Sequence, residues 1–129
     1  MQRVIADPVD TGFIFQSRVY VTHVHFEPDE LVVTLTSRGD KKVATARFKE
    51  VIGFRLLDEG NLLEFWPVCS QDNGWLFRIK ENGWFDLETS RSGFLLDKRV
   101  DVSEYFISSQ NDCVSILAGE PPKIEIIPI

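Results

Sequence analysis

His23 and His25 flank Val24, and Glu27 follows two residues later. In a strand, His23, His25 and Glu27 share one face. Two imidazoles and a carboxylate form a donor set that suits a divalent metal. Ligands two apart on a strand are only weakly specific, however, and the acids at 27–30 also serve turn chemistry. The expectation is two partly exposed strand histidines and no metal site. Carboxylates fall together at Asp58 and Glu59, and again at Asp86 and Glu88. Glycoside hydrolysis needs two carboxylates facing each other across a cleft. Here each pair falls in a turn or on one strand face, with no cleft indicated. Gly-x-Ser-x-Gly does not occur, and neither Cys69 nor Cys113 has a histidine in a recognisable nucleophile setting. Ser-Arg-Ser-Gly at 90–93 is too short for a phosphate loop. The sequence predicts no enzyme and no cofactor.

The elements that must position these residues are short strands separated by turns. Residues 18–26, 31–37, 43–48 and 51–57 are rich in β-branched and aromatic side chains. Turn residues at 27–30, 38–42 and 58–61 punctuate them. Gly53 inside the fourth run marks a bulge or bend. Residues 62–68 lead into an aromatic stretch. Residues 89–102 are less regular, a place for a loop or short helix. Strands at 104–109 and 113–119 flank a turn at 110–112. Residues 123–129 alternate as a last edge strand, where Pro128 is tolerated. No segment holds a sustained helical period. The fold class expected is mainly β, in one domain spanning 1–129. Its form is an antiparallel meander sheet or partly closed barrel, with one or two short helices.

Within this frame Asn-Gly-Trp occurs twice, at 73–75 and 82–84. Asn-Gly is a strong hairpin signal because both residues tolerate positive φ, so the repeat needs no ligand to explain it. A two-residue turn at Asn82-Gly83 sets Ile79 opposite Asp86 and Phe77 opposite Glu88, a poor sheet face. A three-residue loop at 81–83 instead sets Lys80 opposite Trp84 and Arg78 opposite Asp86. Trp75, Phe77, Ile79, Phe85 and Leu87 then share a buried face. This second register is preferred. It leaves Trp84 on the polar face among charges, the usual composition of a protein-contact hot spot. Cover by the irregular segment at 89–102 is the competing reading. The candidate partner-binding residues are Trp84, Asp86 and Glu88, with Asp58 and Glu59 as a second acidic site.

Composition narrows the partner. Net charge is −6, from 20 acids against 14 bases. Direct nucleic-acid binding needs a basic footprint and is not expected; a basic protein partner fits better. No apolar run approaches the roughly 18 residues of a membrane helix, so no membrane partner is expected. The opening residues carry one Arg followed by acids and Pro8 where a secretory signal would be apolar. A cytoplasmic location is expected. Cys69 and Cys113 stand 44 positions apart without a zinc pattern, and two buried thiols are expected over one disulfide.

The stretches VIGFRLLDEGNLLEFW, GWLFRIKENGWFDLETSRSGF and EYFISSQNDCVSILAGEPP resemble a small bacterial family met among candidate immunity proteins of polymorphic toxin and contact-dependent inhibition systems. The resemblance covers about 51–122 and rests on turns and aromatics. It implies a cytosolic protein that binds one cognate toxin, such as a basic nuclease domain, and blocks it without chemistry of its own. It supplies no interface motif. Two other functions remain open at this stage: a β barrel that binds a small ligand or lipid, and a hydrolase with an unrecognised site. A filled core favours the binder and an apolar cavity the carrier.

Overall fold

The computed structural model describes residues 2–94 and 101–129. Among them are nine strands: β1 (Ile5–Pro8), β2 (Val19–Glu27), β3 (Glu30–Ser37), β4 (Lys42–Lys49), β5 (Val51–Asp58), β6 (Leu76–Glu81), β7 (Ser103–Ile107), β8 (Asp112–Ala118) and β9 (Lys123–Pro128). Two short helices accompany them, α1 (Trp66–Cys69) and α2 (Trp84–Thr89). The strands form two antiparallel sheets, ordered β1-β6-β7-β8-β5 and β2-β3-β4-β9. The fold is therefore mostly antiparallel β and is not a closed barrel. No helix among the described residues is long and apolar enough to cross a membrane.

Alternation builds the space between the sheets. Leu31, Val33 and Leu35 of β3, and Ala44, Ala46 and Phe48 of β4, are buried at every second position. They meet Leu76, Tyr105, Ile107, Val114 and Ile116 of the other sheet in one core. In β2 the alternation slips. A bulge between Val21 and His23 lets Val19 and Val21 pair on one side of it, and Val24 and Phe26 on the other, without turning the histidines inward. His23 and His25 are exposed, and His25 Nε2 lies 3.0 Å from Glu27.

The chain changes sheets between β4 and β5 through Glu50 alone, which sits at φ 52°. A left-handed non-glycine residue is uncommon, and here it marks the corner. The run expected to extend or restart after 48 does restart, in the other sheet. Gly53 adds the expected bulge, where the register shifts between Val51 and Gly53. The strands around the turn at 110–112 and the edge strand ending at Pro128 also stand where expected.

One expectation fails. The residues from Trp84 onward form helix α2, not the return strand of a hairpin. The three-residue loop, and the pairings of Lys80 with Trp84 and Arg78 with Asp86, do not exist. Strand β6 instead lies between β1 and β7. Lys80 reaches Asp7 of β1 at 2.6 Å. Phe77 and Ile79 do share a buried face, and Phe85 is buried over the same outer face of the sheet, next to Leu117. Trp75 packs into the core between the sheets, and Leu87 is 62% exposed. Nor does either Asn-Gly pair make a hairpin. Asn73 ends a 3-10 turn with Gly74 at φ 135°, and Asn82 at φ 65° precedes α2. Residues 95–100, part of the stretch read as a loop or short helix, lie outside the described residues.

Candidate interaction surface

A buried carboxylate explains why α2 forms. Glu104 in the middle of the five-stranded sheet is only 3% exposed. Its Oε2 accepts the Trp84 N–H at 3.0 Å, and its Oε1 accepts the Phe85 N–H at 2.7 Å. The first amides of a helix lack internal partners, and Glu104 supplies both from another strand. Asp86 adds a local cap by accepting the Asn82 N–H at 2.7 Å. The junction favours glycine at position 83: a Cβ there would fall 2.6 Å from Ile79 Cγ2 and 2.7 Å from Glu104 Oε2, so one of them would have to shift. Burial pushes the Glu104 pKa up, against the pull of the two amides and Arg55. A buried carboxylate with a raised pKa beside a cleft is a familiar sign of an active site. Here both of its oxygens are engaged by the helix, which gives it a structural role.

Capping by Glu104 fixes Trp84 over β5. The indole contacts the position of Gly53, where a Cβ would sit 3.5 Å from it. The Arg55 guanidinium lies 5.4 Å from the Trp84 ring centroid, within cation–π range. Burial lowers the Arg55 pKa, and Glu104, Glu64 and Glu88 act the other way. Its Nε is buried and has no hydrogen-bond partner among the described residues. Trp84 is partly buried in a cluster with Phe85, Phe94, Val102 and Leu117. It therefore stands on the margin of β5, not on the polar face of β6.

Strand β5 is an edge of its sheet. Phe54 and Leu56 lie opposite Ile116 and Val114, so they point toward the space between the sheets, yet they are 36% and 45% exposed. Phe26 of the neighbouring edge strand β2 is 51% exposed, and its ring sits 5.6 Å from that of Phe54. Ile52, the extra residue of the bulge, is 40% exposed. At one end β2 is tied to the turn between β7 and β8 and to the 3-10 turn at Gln71–Asn73. There the Val19 N–H donates to Gln71 and the Val21 N–H to Ser109, and Val19 O accepts from Gln110. Toward Phe26 and Phe54 the sandwich is open and its lip is apolar. Exposed apolar groups that touch one another mark contact sites more often than scattered ones do.

Three of the five sequence candidates, Trp84, Asp58 and Glu59, border this lip, and Glu88 and Asp86 lie on α2. Trp84 covers Gly53. Asp58 is the last residue of β5 and caps the following 3-10 turn through the Gly60 N–H, at 2.8 Å. Glu59 comes next; its backbone oxygen accepts the Trp66 indole N–H. Glu88 pairs with Arg91 at 2.9 Å. Asp86 instead lies on the cleft beside Arg78 and Glu81, holding the helix start. Sequence reasoning missed Phe26, Ile52, Phe54, Leu56, Arg55 and Glu104. A signal for the apolar ones was present. Residues 51–57 are apolar on both faces, the pattern of a central strand, which the structure places at an edge.

Elsewhere, a cleft of about 590 Å³ opens beside Trp75, Phe13 and Phe15, with Gly12 and Gly74 on its wall. Among the described residues no group of three His, Cys, Asp or Glu side chains is placed to hold a metal. Cys69 and Cys113 are buried and unpaired; burial pushes their thiols up to about 12 and about 11. Comparison of the chain with protein-family models, curated proteins and solved structures finds no match.

Proposed function

We propose that the chain is a non-enzymatic binding protein. In this reading it is an immunity protein that acts in the cytoplasm and neutralises a cognate bacterial toxin by direct contact. The observation that carries the binding role is the apolar lip of β5 and β2, bordered by Trp84 on one side and by Asp58 and Glu59 at the strand end. Covering Phe54 and Leu56 would contribute on the order of 1 kcal/mol each, since each is already partly buried. Acids around an apolar centre suit a basic toxin domain, raising the on-rate more than the affinity. The toxin class comes from the family resemblance and from the net charge of −6. The test is growth. Cells expressing the basic toxin domain that the proposed immunity function requires should survive when they also carry the wild-type chain. The variant Phe54→Ser/Leu56→Ser should protect them poorly at equal abundance. Survival without the chain, or equal protection by the variant, would count against this reading.

A second reading has its own support. The cleft at Phe13, Phe15 and Trp75 falls within the usual size range of small-ligand sites. A carrier would be stabilised against heat by a fatty acid or aromatic probe, and Trp75 fluorescence would respond. A toxin-binding protein would show neither effect.

A further inference from the structure

We propose that β5 is a docking edge that accepts an extended strand from a partner, with apolar side chains against Phe54 and Leu56 and basic residues at the Asp58 end. This rests on the binding role above and specifies how the partner sits. Three observations converge. First, β5 pairs with β8 on one side only, and its other side is an edge of the sheet. An edge strand offers backbone donors and acceptors to any chain that can lie beside it, and natural proteins ordinarily blunt such edges. Lysine, proline, bulges and inward-pointing charge are the usual devices; β5 has no Lys or Pro among its eight residues, and its one bulge is confined to Val51–Gly53, before Phe54 and Leu56. Second, the side chains beside that edge are apolar and half-exposed, as an added strand needs in order to bury its own alternate residues. Third, the strand end is acidic without local compensation. Asp58 lies opposite Asp112 across the β5–β8 pair, and Glu59 follows. Among the described residues none of these three carboxylates makes an ion pair. Like charges facing each other across a ladder are unfavourable, and a cation arriving on a partner strand would relieve them.

The charge pattern also selects between occupants. If two copies paired antiparallel through β5 about a two-fold axis between Phe54 and Arg55, Glu59 of one copy would face Glu50 of the other. Each copy also carries a net charge of −6. A second copy is therefore disfavoured where a basic strand is welcomed. Added antiparallel to β5, as every strand of this fold is to its neighbours, the partner segment would set its N-terminal end beside Asp58.

The test uses the isotopically labelled full chain and a nine-residue probe peptide, Lys-Thr-Lys-Thr-Val-Thr-Val-Thr-Val, whose lysines and valines share the face of Phe54, Leu56 and Asp58. Backbone amide NMR at millimolar peptide should show shifts that map along β5, and slowed exchange of its outward amides. Replacing both lysines by glutamate should weaken binding at least about tenfold. Two further peptides carry N-methyl groups at alternate positions. The set that methylates the amides facing β5 should abolish binding, and the set facing solvent should not. Equal binding by both methylated sets would mean side-chain contact without strand addition and would overturn the proposal. So would binding of the glutamate peptide as tight as the lysine peptide, shifts confined to other strands, or a dimer of the free chain in which the β5 amides are protected. The same exchange measurement with the toxin domain separates the two levels of the argument. A toxin domain that binds while the β5 amides stay unprotected ends the strand-addition proposal and leaves the binding role standing. A peptide that docks on β5 while the toxin domain fails to bind leaves the docking edge and ends the immunity reading.

Discussion

Replacing Glu104 by Gln or Ala tests how Trp84 is held. Two helix amides donate to this one carboxylate, at 3.0 and 2.7 Å, and the group is 3% exposed. A hydrogen bond contributes about 0.5–1.5 kcal/mol to a neutral acceptor and about 1.5–3 kcal/mol to a charged one, and a buried donor left without a partner costs about 1–3 kcal/mol. Glu104→Gln keeps one carbonyl oxygen, so it should lose about 1–3 kcal/mol. Glu104→Ala strands both amides and leaves a void, and should lose about 2–5 kcal/mol. For a domain of this size 1 kcal/mol corresponds to a fall in Tm of roughly 3–5 °C. Urea unfolding gives the energies, and hydrogen exchange reads the mechanism. The amides of Trp84 and Phe85 should lose protection in both variants, while those of β3 keep theirs. The pH dependence supplies an independent sign. Burial raises the folded pKa of Glu104, so the folded state binds the proton more tightly than the unfolded state. Its contribution to stability is then fully present below the ordinary carboxylate range and is lost as pH rises through the folded value. The stability difference between wild type and Glu104→Gln should therefore shrink as pH rises through that window. A Gln variant as stable as wild type, with both amides still protected, would refute the capping argument.

Three other outcomes follow from the same geometry. Gly83→Ala should cost about 1–3 kcal/mol in urea unfolding, because its Cβ would meet Ile79 and the Glu104 carboxylate. Native Cys69 and Cys113 should resist a thiol reagent at pH 8, with pKa values near 12 and 11 and no exposure, and both should react once urea is added. Phe54→Ser/Leu56→Ser should cost about 2–3 kcal/mol by the same unfolding assay, since more than half of each side chain is already buried.

Much of the sheet was legible because period-two burial leaves a strong trace in a chain. Leu31, Val33 and Leu35 fall at every second position, between Val32, Thr34 and Thr36, and the structure buries those three. Gly53 and Pro128 announced a bulge and an edge, and both are there. What was not legible depended on distant partners. Residues 84–88 alternate well enough to read as a strand, and local pattern cannot reveal that a carboxylate twenty residues away will accept their amides. Strand β1 is four residues long and packs beside β6 from far away in sequence, so it left no pattern to read. The candidate surface was half legible. Trp84 and the acids stood out by type, but the apolar lip did not, because Phe54 and Leu56 look like core until the sheet order makes β5 an edge. Asp86 looked like a contact residue because its role, holding the Asn82 amide, depends on a helix the register argument did not contain.

The most direct test of the central claim is the affinity of the purified chain for the basic toxin domain that the proposed immunity function requires, measured for wild type, Trp84→Ala and Phe54→Ser/Leu56→Ser at two salt concentrations. The account predicts tight binding by wild type. It predicts a loss of at least about 30-fold in each variant, corresponding to roughly 2 kcal/mol, and an on-rate that falls as salt rises. Wild-type affinity in both variants, or no binding by the wild-type chain, would contradict it.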